Sequence, residues 1–335
     1  MIDLGAAYSN KRVVVFGASG FIGAHLVKMA LPLARSVVAF AKRNAVGTRH
    51  VPEGAEIISG DIRSEMDVRQ ACLRADVVFV LAGRSGAVES LEDPLTDLLV
   101  NCGGLLNILH VLQSRGCEVR TVFPGSRLEY GKPEHSPTSE DDALLPLEPY
   151  GLHRIFCEQY LEFYARRFGM KYAVARLTNV YGPREGPPSV GFNLLNSWIS
   201  RAVAGGTLEI YGNGKQLRDY IFVEDAVRLL LLLGAVEENT IVNGGSGEGR
   251  PLKDVAKLVV KLAGSGRIEH VPWPQSALQI ETGDFVADVS RARVLGWQPT
   301  TELETGIEFT VECERSFVAE SSSRAGGSSK GRLFI

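Results

Sequence analysis

The 335 residues lack the features that mark several protein classes. No charge sign dominates: 36 Lys and Arg stand against 39 Asp and Glu, a formal net charge of −3, and no basic stripe is visible. A nucleic-acid backbone calls for a basic face, so no nucleic-acid partner is expected. Cysteine is sparse. Cys72, Cys102, Cys117, Cys157 and Cys313 stand apart with no CxxC pair or paired histidines, so no metal site is expected. Their odd number fits reduced thiols better than a disulfide framework, which predicts a cytoplasmic protein. Long apolar runs are also missing. Met1 to Lys11 has no signal-peptide core and the leucine run 229–233 is far too short to cross a bilayer, so no membrane segment is expected. There is no internal repeat.

What is present is a patterned α/β chain, 45% apolar and 22% charged, with material for one large or two medium domains. Up to Arg176, short runs rich in valine and isoleucine alternate with longer helical patterns, the rhythm of a doubly wound parallel sheet. The expected strands are Arg12–Phe16, Ser36–Ala41, Glu56–Ile58, Val77–Leu81, Val119–Phe123 and Tyr172–Arg176. Between the last two, Pro149 opens and Gly169 closes a helix. Beyond Thr178 come Gly- and Pro-rich stretches, Tyr181-Gly-Pro-Arg-Glu-Gly-Pro-Pro188 and Tyr211-Gly-Asn-Gly214, suited to loops that build a pocket. The expected organisation is a dinucleotide-binding domain over 1–177, to which 219–243 returns, and a smaller C-terminal α/β substrate lobe from 178–218 and 244–318. The Ser/Gly-rich residues 319–335 are expected to form a disordered tail.

Two constellations carry chemistry. Gly17-Ala-Ser19-Gly20-Phe21-Ile22-Gly23 follows a strand and opens a helix, the context in which glycines let backbone approach a pyrophosphate at a helix N-terminus. The end of the second strand, where an acid would bond the ribose of NAD, reads Ala41-Lys42-Arg43. Two cations in place of the acid favour NADP over NAD, unless they are only a solvated basic loop. Asp61, followed by Ile62, stands where it can meet the adenine edge or cap a helix. Leu81-Ala82-Gly83 ends the fourth strand with small residues where a cofactor would pass. Downstream, Tyr150 and Arg154 lie one turn apart on a helix face, so the cation can stabilise the phenolate, and Ser126 offers a second hydroxyl. His153 reads as a helix-surface residue.

Together with Asn101, Ser126-Arg-Leu-Glu-Tyr-Gly131, Arg176-Leu-Thr-Asn-Val-Tyr-Gly-Pro183, Tyr211-Gly-Asn-Gly-Lys-Gln-Leu-Arg-Asp-Tyr220 and Leu295-Gly-Trp297, these motifs resemble the extended short-chain dehydrogenase/reductase family of NAD(P)-dependent nucleotide-sugar epimerases, dehydratases and ketoreductases. The resemblance extends to about residue 317 and implies a Rossmann-type fold. It implies that Ser126 hydrogen-bonds the reacting oxygen, that Tyr150 exchanges its proton, and that Arg154 takes the place of the family's lysine beside the nicotinamide ribose. Arginine keeps the charge but is a poor proton relay. Asn101 is implied on the cofactor side. On the substrate side, Asn179 would meet the sugar-phosphate, Tyr211 the nucleotide base and Arg218 the diphosphate. Arg218 can instead form a salt bridge to Asp219 or Asp225.

Dehydratases of the family carry acids where this chain has Arg127 and Leu128, and Glu129 comes one position late, so dehydration is disfavoured. Glu281 stands where a second phosphate-binding arginine is common. The leading expectation is a nucleotide-sugar 4-epimerase acting through a transient keto sugar. The alternatives are an NADPH-dependent 4-keto-6-deoxy-sugar reductase and a catalytically weak cofactor-binding protein. A homodimer through the helices that begin near Leu95 and Pro149 is implied by the resemblance.

Overall fold

A computed structural model describes residues 2–42, 51–116, 118–184 and 193–327. A short helix, α1 (Leu4–Tyr8), precedes the parallel strands β1 (Arg12–Phe16), β2 (Ser36–Lys42), β3 (Glu56–Gly60), β4 (Val77–Val80), β5 (Arg120–Ser126) and β6 (Lys171–Leu177). The connecting helices are α2 (Phe21–Ala30), α3 (Glu65–Ala71), α4 (Ala87–Glu92), α5 (Pro94–Gln113) and α6 (Pro149–Phe168). Each expected strand is present, with ends shifted by up to three residues.

Alternation along the strands assigns the two faces. Val13, Val15, Val37, Ala39, Val77 and Phe79 enter one core with α2. Val14, Phe16, Val38, Phe40, Val78 and Val80 enter the other with α3 and α5. Strands buried on both faces need the continuous apolar runs seen here.

After β7 (Asn179–Tyr181), α7 (Leu194–Val203) and β8 (Thr207–Tyr211), the chain forms β9 (Leu217–Phe222), α8 (Val223–Ala235) and β10 (Thr240–Gly244). β10 completes a seven-stranded sheet of order β10-β6-β5-β4-β1-β2-β3, and α8 packs on it through Leu229–Leu233. The expectation that 219–243 returns whole to this sheet is corrected in one part. β9 instead pairs with β7 and with β11 (Gly249–Pro251) in a three-stranded sheet, because its edges are taken by those two short strands. The second lobe adds α9 (Leu252–Ala263), β12 (Arg267–Val271), α10 (Gln275–Gln279) and α12 (Leu303–Gly327), whereas α11 (Ser290–Val294), expected in that lobe, packs through Ala292 on the core of the main sheet beside β10. β8 and β12 pair there, and α7, α9 and α12 close a separate core around Trp198 and Ile307.

The helical backbone of α12 continues to Gly327, into the stretch whose composition predicts a disordered tail. Serine and alanine are tolerated in a helix already nucleated and docked by its first turns. Residues 328–335 lie outside the described set. α5 is 20 residues long and apolar enough to span a bilayer, with mean hydropathy 1.5 over an 18-residue window, but half of that window is buried and the helix carries buried Asp97 and Asn101. Such burial suits the core helix of a folded domain.

Candidate active site

The strand order reverses between β1 and β4, the switch point where open parallel sheets place their ligands. The loops after these strands touch there. Gly17 has φ +83°, and a Cβ on it would fall 2.5 Å from Ala82 N; one on Gly23 would fall 2.1 Å from Gly17 O. Both positions exclude any side chain, and this close approach brings the N-terminus of α2 to the strand ends. A cleft of about 480 Å³ runs along them, lined by Gly17, Ser19, Gly20, Lys42, Asp61, Ile62, Leu81, Ala82 and Gly83. Nine of the expected cofactor residues therefore converge. Phe21 and Ile22 pack partly on the core beside them. Arg43 lies outside the described residues.

At the adenosine end Ala41 is buried and Lys42 exposed. Asp61 caps no helix; Ser64 does so for α3. Its carboxylate is gripped by Arg63, at 2.6 Å from Nη2, and hydrogen bonding from that guanidinium pulls its pKa down to about 2. Arg63 and Arg84 also line the cleft and carry no motif that marks them in the sequence. Asn101 lies beneath it: Oδ1 accepts from Arg84 N at 3.0 Å, Nδ2 donates to Asp97 at 3.0 Å, and a Cβ on Gly83 would fall 2.4 Å from Oδ1.

His153 is not on the surface. It is 6% exposed and its Nδ1 lies 2.6 Å from Asp97 Oδ2, because α5 packs over that side of α6. This pair anchors the two helices beneath the cleft.

Tyr150 stands in the first turn of α6, where Pro149 presets the helix, Glu148 accepts from Gly151 N at 3.0 Å, and Gly169 closes the far end at φ +73°. Ser126 ends β5 and caps the 3-10 turn Arg127–Tyr130: its Oγ accepts from Leu128 N at 3.2 Å while Glu129 accepts from Ser126 N at 2.5 Å. The hydroxyl proton is not used in this bond and remains available to donate. The turn and the helix are locked together at Gly151, where a Cβ would fall 2.7 Å from Leu128 O.

Arg154 is buried between these parts. Its Cζ sits 4.7 Å from the Tyr150 ring centroid and 5.1 Å from that of Phe123, and Nη1 donates to Pro124 O at 3.3 Å. Burial works against its charge, but neighbours led by Tyr150 outweigh that and its pKa is raised. Nε is buried without a hydrogen-bond partner among the described residues. That orphaned donor, together with the glycine contacts that leave room only for backbone, fits a dinucleotide held along the cleft.

A second cleft, about 360 Å³, opens on the other side of the Ser126 turn. Arg127, Leu128, Asn179, Tyr211, Arg218, Trp273, Glu281 and Thr282 line it. Its wall includes Ala87, three residues along the chain from Arg84 of the first cleft, so the segment after β4 borders both. Tyr211 and Trp273 stand as an aromatic pair with centroids 5.4 Å apart, a surface for a flat ring.

The expected salt bridge of Arg218 to Asp219 or Asp225 is corrected. Nη2 pairs with Glu281 at 2.5 Å; Asp219 is occupied by Ser246, Gly247 and Ala287, and Asp225 by Thr300 and Thr301. Glu129 points away from the cleft into a buried group with Arg176 and Glu158, which bears out its exclusion as a third acid. Arg127 and Trp273 were not foreseen as site residues. Arg127 was visible as a charge next to the serine; Trp273, in a proline-flanked loop, gives no pattern.

The model of the NAD dependent epimerase/dehydratase family matches residues 13–245. In sequence the chain is similar to the UDP-glucose 4-epimerase of Mycolicibacterium smegmatis, 30% identical over 318 residues, covering 91% of this chain and 99% of that one. In structure it is similar to the UDP-glucose 4-epimerase of Thermotoga maritima with UDP-glucose, with a TM-score of 0.85, 29% identity and coverage of 92% and 99%. It is likewise similar to the Thermus thermophilus UDP-glucose 4-epimerase in complex with NAD, with a TM-score of 0.81, 30% identity and coverage of 91% and 99%.

Proposed function

Because the chain belongs to the NAD-dependent epimerase/dehydratase family, we propose that it is an NAD(P)-dependent nucleotide-sugar epimerase that inverts carbon 4 through a transient keto sugar. One observation carries the reading: the Ser126 turn and the Tyr150 helix start are locked at Gly151, with Leu128 of the turn lining the second cleft and Arg154 Nη2 next to Gly83 of the first. Tyr150 takes the proton of the sugar hydroxyl and returns it, and Ser126 donates a hydrogen bond to the same oxygen. Arg154 supplies fixed positive charge against the Tyr150 ring as that proton leaves. When bound, the nicotinamide supplies a hydride acceptor and donor at the sugar carbon. Arginine does not pass the proton on to solvent, which suits a cycle in which one proton leaves and returns at one oxygen.

The cofactor we favour is NADP, with NAD as the alternative, supported by Lys42 at the cleft rim and by the absence of a carboxylate at Ala41. The same feature supports the second reading, a 4-ketoreductase that consumes NADPH. The nucleotide that co-purifies, identified by mass, checks the cofactor. Turnover separates the reactions. The epimerase interconverts UDP-glucose and UDP-galactose with no net change in nicotinamide absorbance; stoichiometric NADPH loss with a 4-keto-6-deoxy sugar nucleotide would replace this reading with the reductase.

We also favour a homodimer, supported by Leu95, Leu99, Leu152, Phe156 and Phe163 exposed on α5 and α6. A cytoplasmic setting is supported by Cys72, Cys102 and Cys157, which are buried as thiols.

A further inference from the structure

We propose that Arg127 and Arg218 form a two-guanidinium clamp for the substrate's diphosphate, and that Glu281 is the clamp's built-in counter-anion, which the diphosphate displaces. The proposal rests on the nucleotide-sugar reading above and deepens it at residues specific to this chain.

Both arginines line the second cleft and one strap, residues 281–283, holds both. Arg218 Nη2 pairs with Glu281 at 2.5 Å and its Nη1 donates to Gly283 O; Arg127 Nη1 donates to Thr282 Oγ1 at 2.9 Å and its Nε to Asn179 Oδ1 at 3.3 Å. Among the described residues no carboxylate lies within salt-bridge distance of Arg127. Burial, reinforced by repulsion from Arg218, lowers its pKa to about 10, as expected of two cations facing one pocket.

Two guanidiniums, Arg218 buried and Arg127 half-buried, thus face one pocket in which Glu281 pairs with Arg218 alone, an arrangement that favours an incoming anion. Guanidinium forks match phosphate oxygens with paired donors. Displacing Glu281 leaves two positive charges for the two of a diphosphate. Among the described residues the third arginine lining the cleft, Arg201, faces Glu209 at 3.8 Å, so the two charges of Arg127 and Arg218 match a diphosphate rather than a further anionic group on the sugar. Glu281 can leave: its side chain is 20% exposed and, among the described residues, its only other side-chain hydrogen bond is from Gly283 N at 3.1 Å. Glu281 thus acts as a placeholder for phosphate, and Arg127 brings the second fork from the turn after Ser126.

The test is calorimetric titration of the intact protein with UDP and, separately, with uridine, alongside KM for UDP-glucose. In Glu281→Gln, UDP binds about tenfold more tightly and KM falls in step, because the competing anion is gone. In Arg127→Gln, UDP binds about tenfold more weakly while uridine is held as before. Unchanged or weaker UDP binding in Glu281→Gln overturns the proposal, and so does an equal loss of UDP and uridine in Arg127→Gln; if that variant does not fold, Glu281→Gln decides alone. Wild-type turnover with no gain in Glu281→Gln removes the clamp and leaves the epimerase. Tighter UDP in Glu281→Gln without wild-type turnover keeps the clamp and removes the epimerase. Failure of every variant to bind UDP removes both.

Discussion

At Arg154, where the resemblance implies a lysine, the chain has a cation of different geometry. An ammonium is a point charge on a flexible stem, whereas this guanidinium lies between the rings of Tyr150 and Phe123 and hydrogen-bonds Pro124 O. Its contribution is charge and packing. Arg154→Met keeps the length and removes the charge, and should lower kcat at least about 100-fold in steady-state assays. Arg154→Lys should remain within about tenfold of wild type, since the charge survives while the stacked fit is lost. Equal activity in all three would show that the cation plays no part in turnover. Tyr150, Ser126 and the glycines of the first loop were legible because spacing alone announces them. His153 was misassigned to the surface because helix periodicity does not reveal that α5 covers that face, where Asp97 meets it.

Among the elements, β5, the 3-10 turn, α6 and β6 are tied by one buried group. Arg176 on β6 pairs with Glu158 on α6 at 2.7 Å and with Glu129 on the turn at 3.3 Å. Two carboxylates share one cation, and burial with Glu158 alongside raises the Glu129 pKa well above its usual range. The sign follows from linkage. A folded pKa above the unfolded value means that the native state binds the extra proton, so this contribution is present at the ordinary glutamate range and lost as pH rises through the folded value. Burial raises Glu140, Glu148 and Asp219 in the same direction. Melting temperature should therefore fall between about pH 5 and pH 8, and Glu129→Gln should flatten that fall. An unaltered slope in Glu129→Gln would mean that Glu129 stays ionised throughout. Arg176→Met should cost about 3–5 kcal/mol in denaturant unfolding, because it strands both carboxylates.

For the whole molecule, α5 and α6 pack against each other and still leave Leu95 63%, Leu99 50% and Phe163 50% exposed. An apolar face that size on adjacent helices suits a two-fold interface. Leu99→Glu combined with Phe163→Glu should convert a dimer to a monomer in analytical ultracentrifugation, while a wild-type monomer would remove the interface. By itself the sequence determined the parallel-sheet rhythm, the glycine loop, the limits of α6 and the serine and tyrosine, all of which are local signals: period, punctuation and spacing within a few residues. Only the tertiary structure decided that β9 leaves the main sheet, that Glu129 turns inward, that Arg218 takes Glu281, and that Arg127 reaches the same cleft from 155 residues away from Thr282. These outcomes depend on which edges, charges and cavities remain once distant segments have packed, and no local pattern encodes that competition.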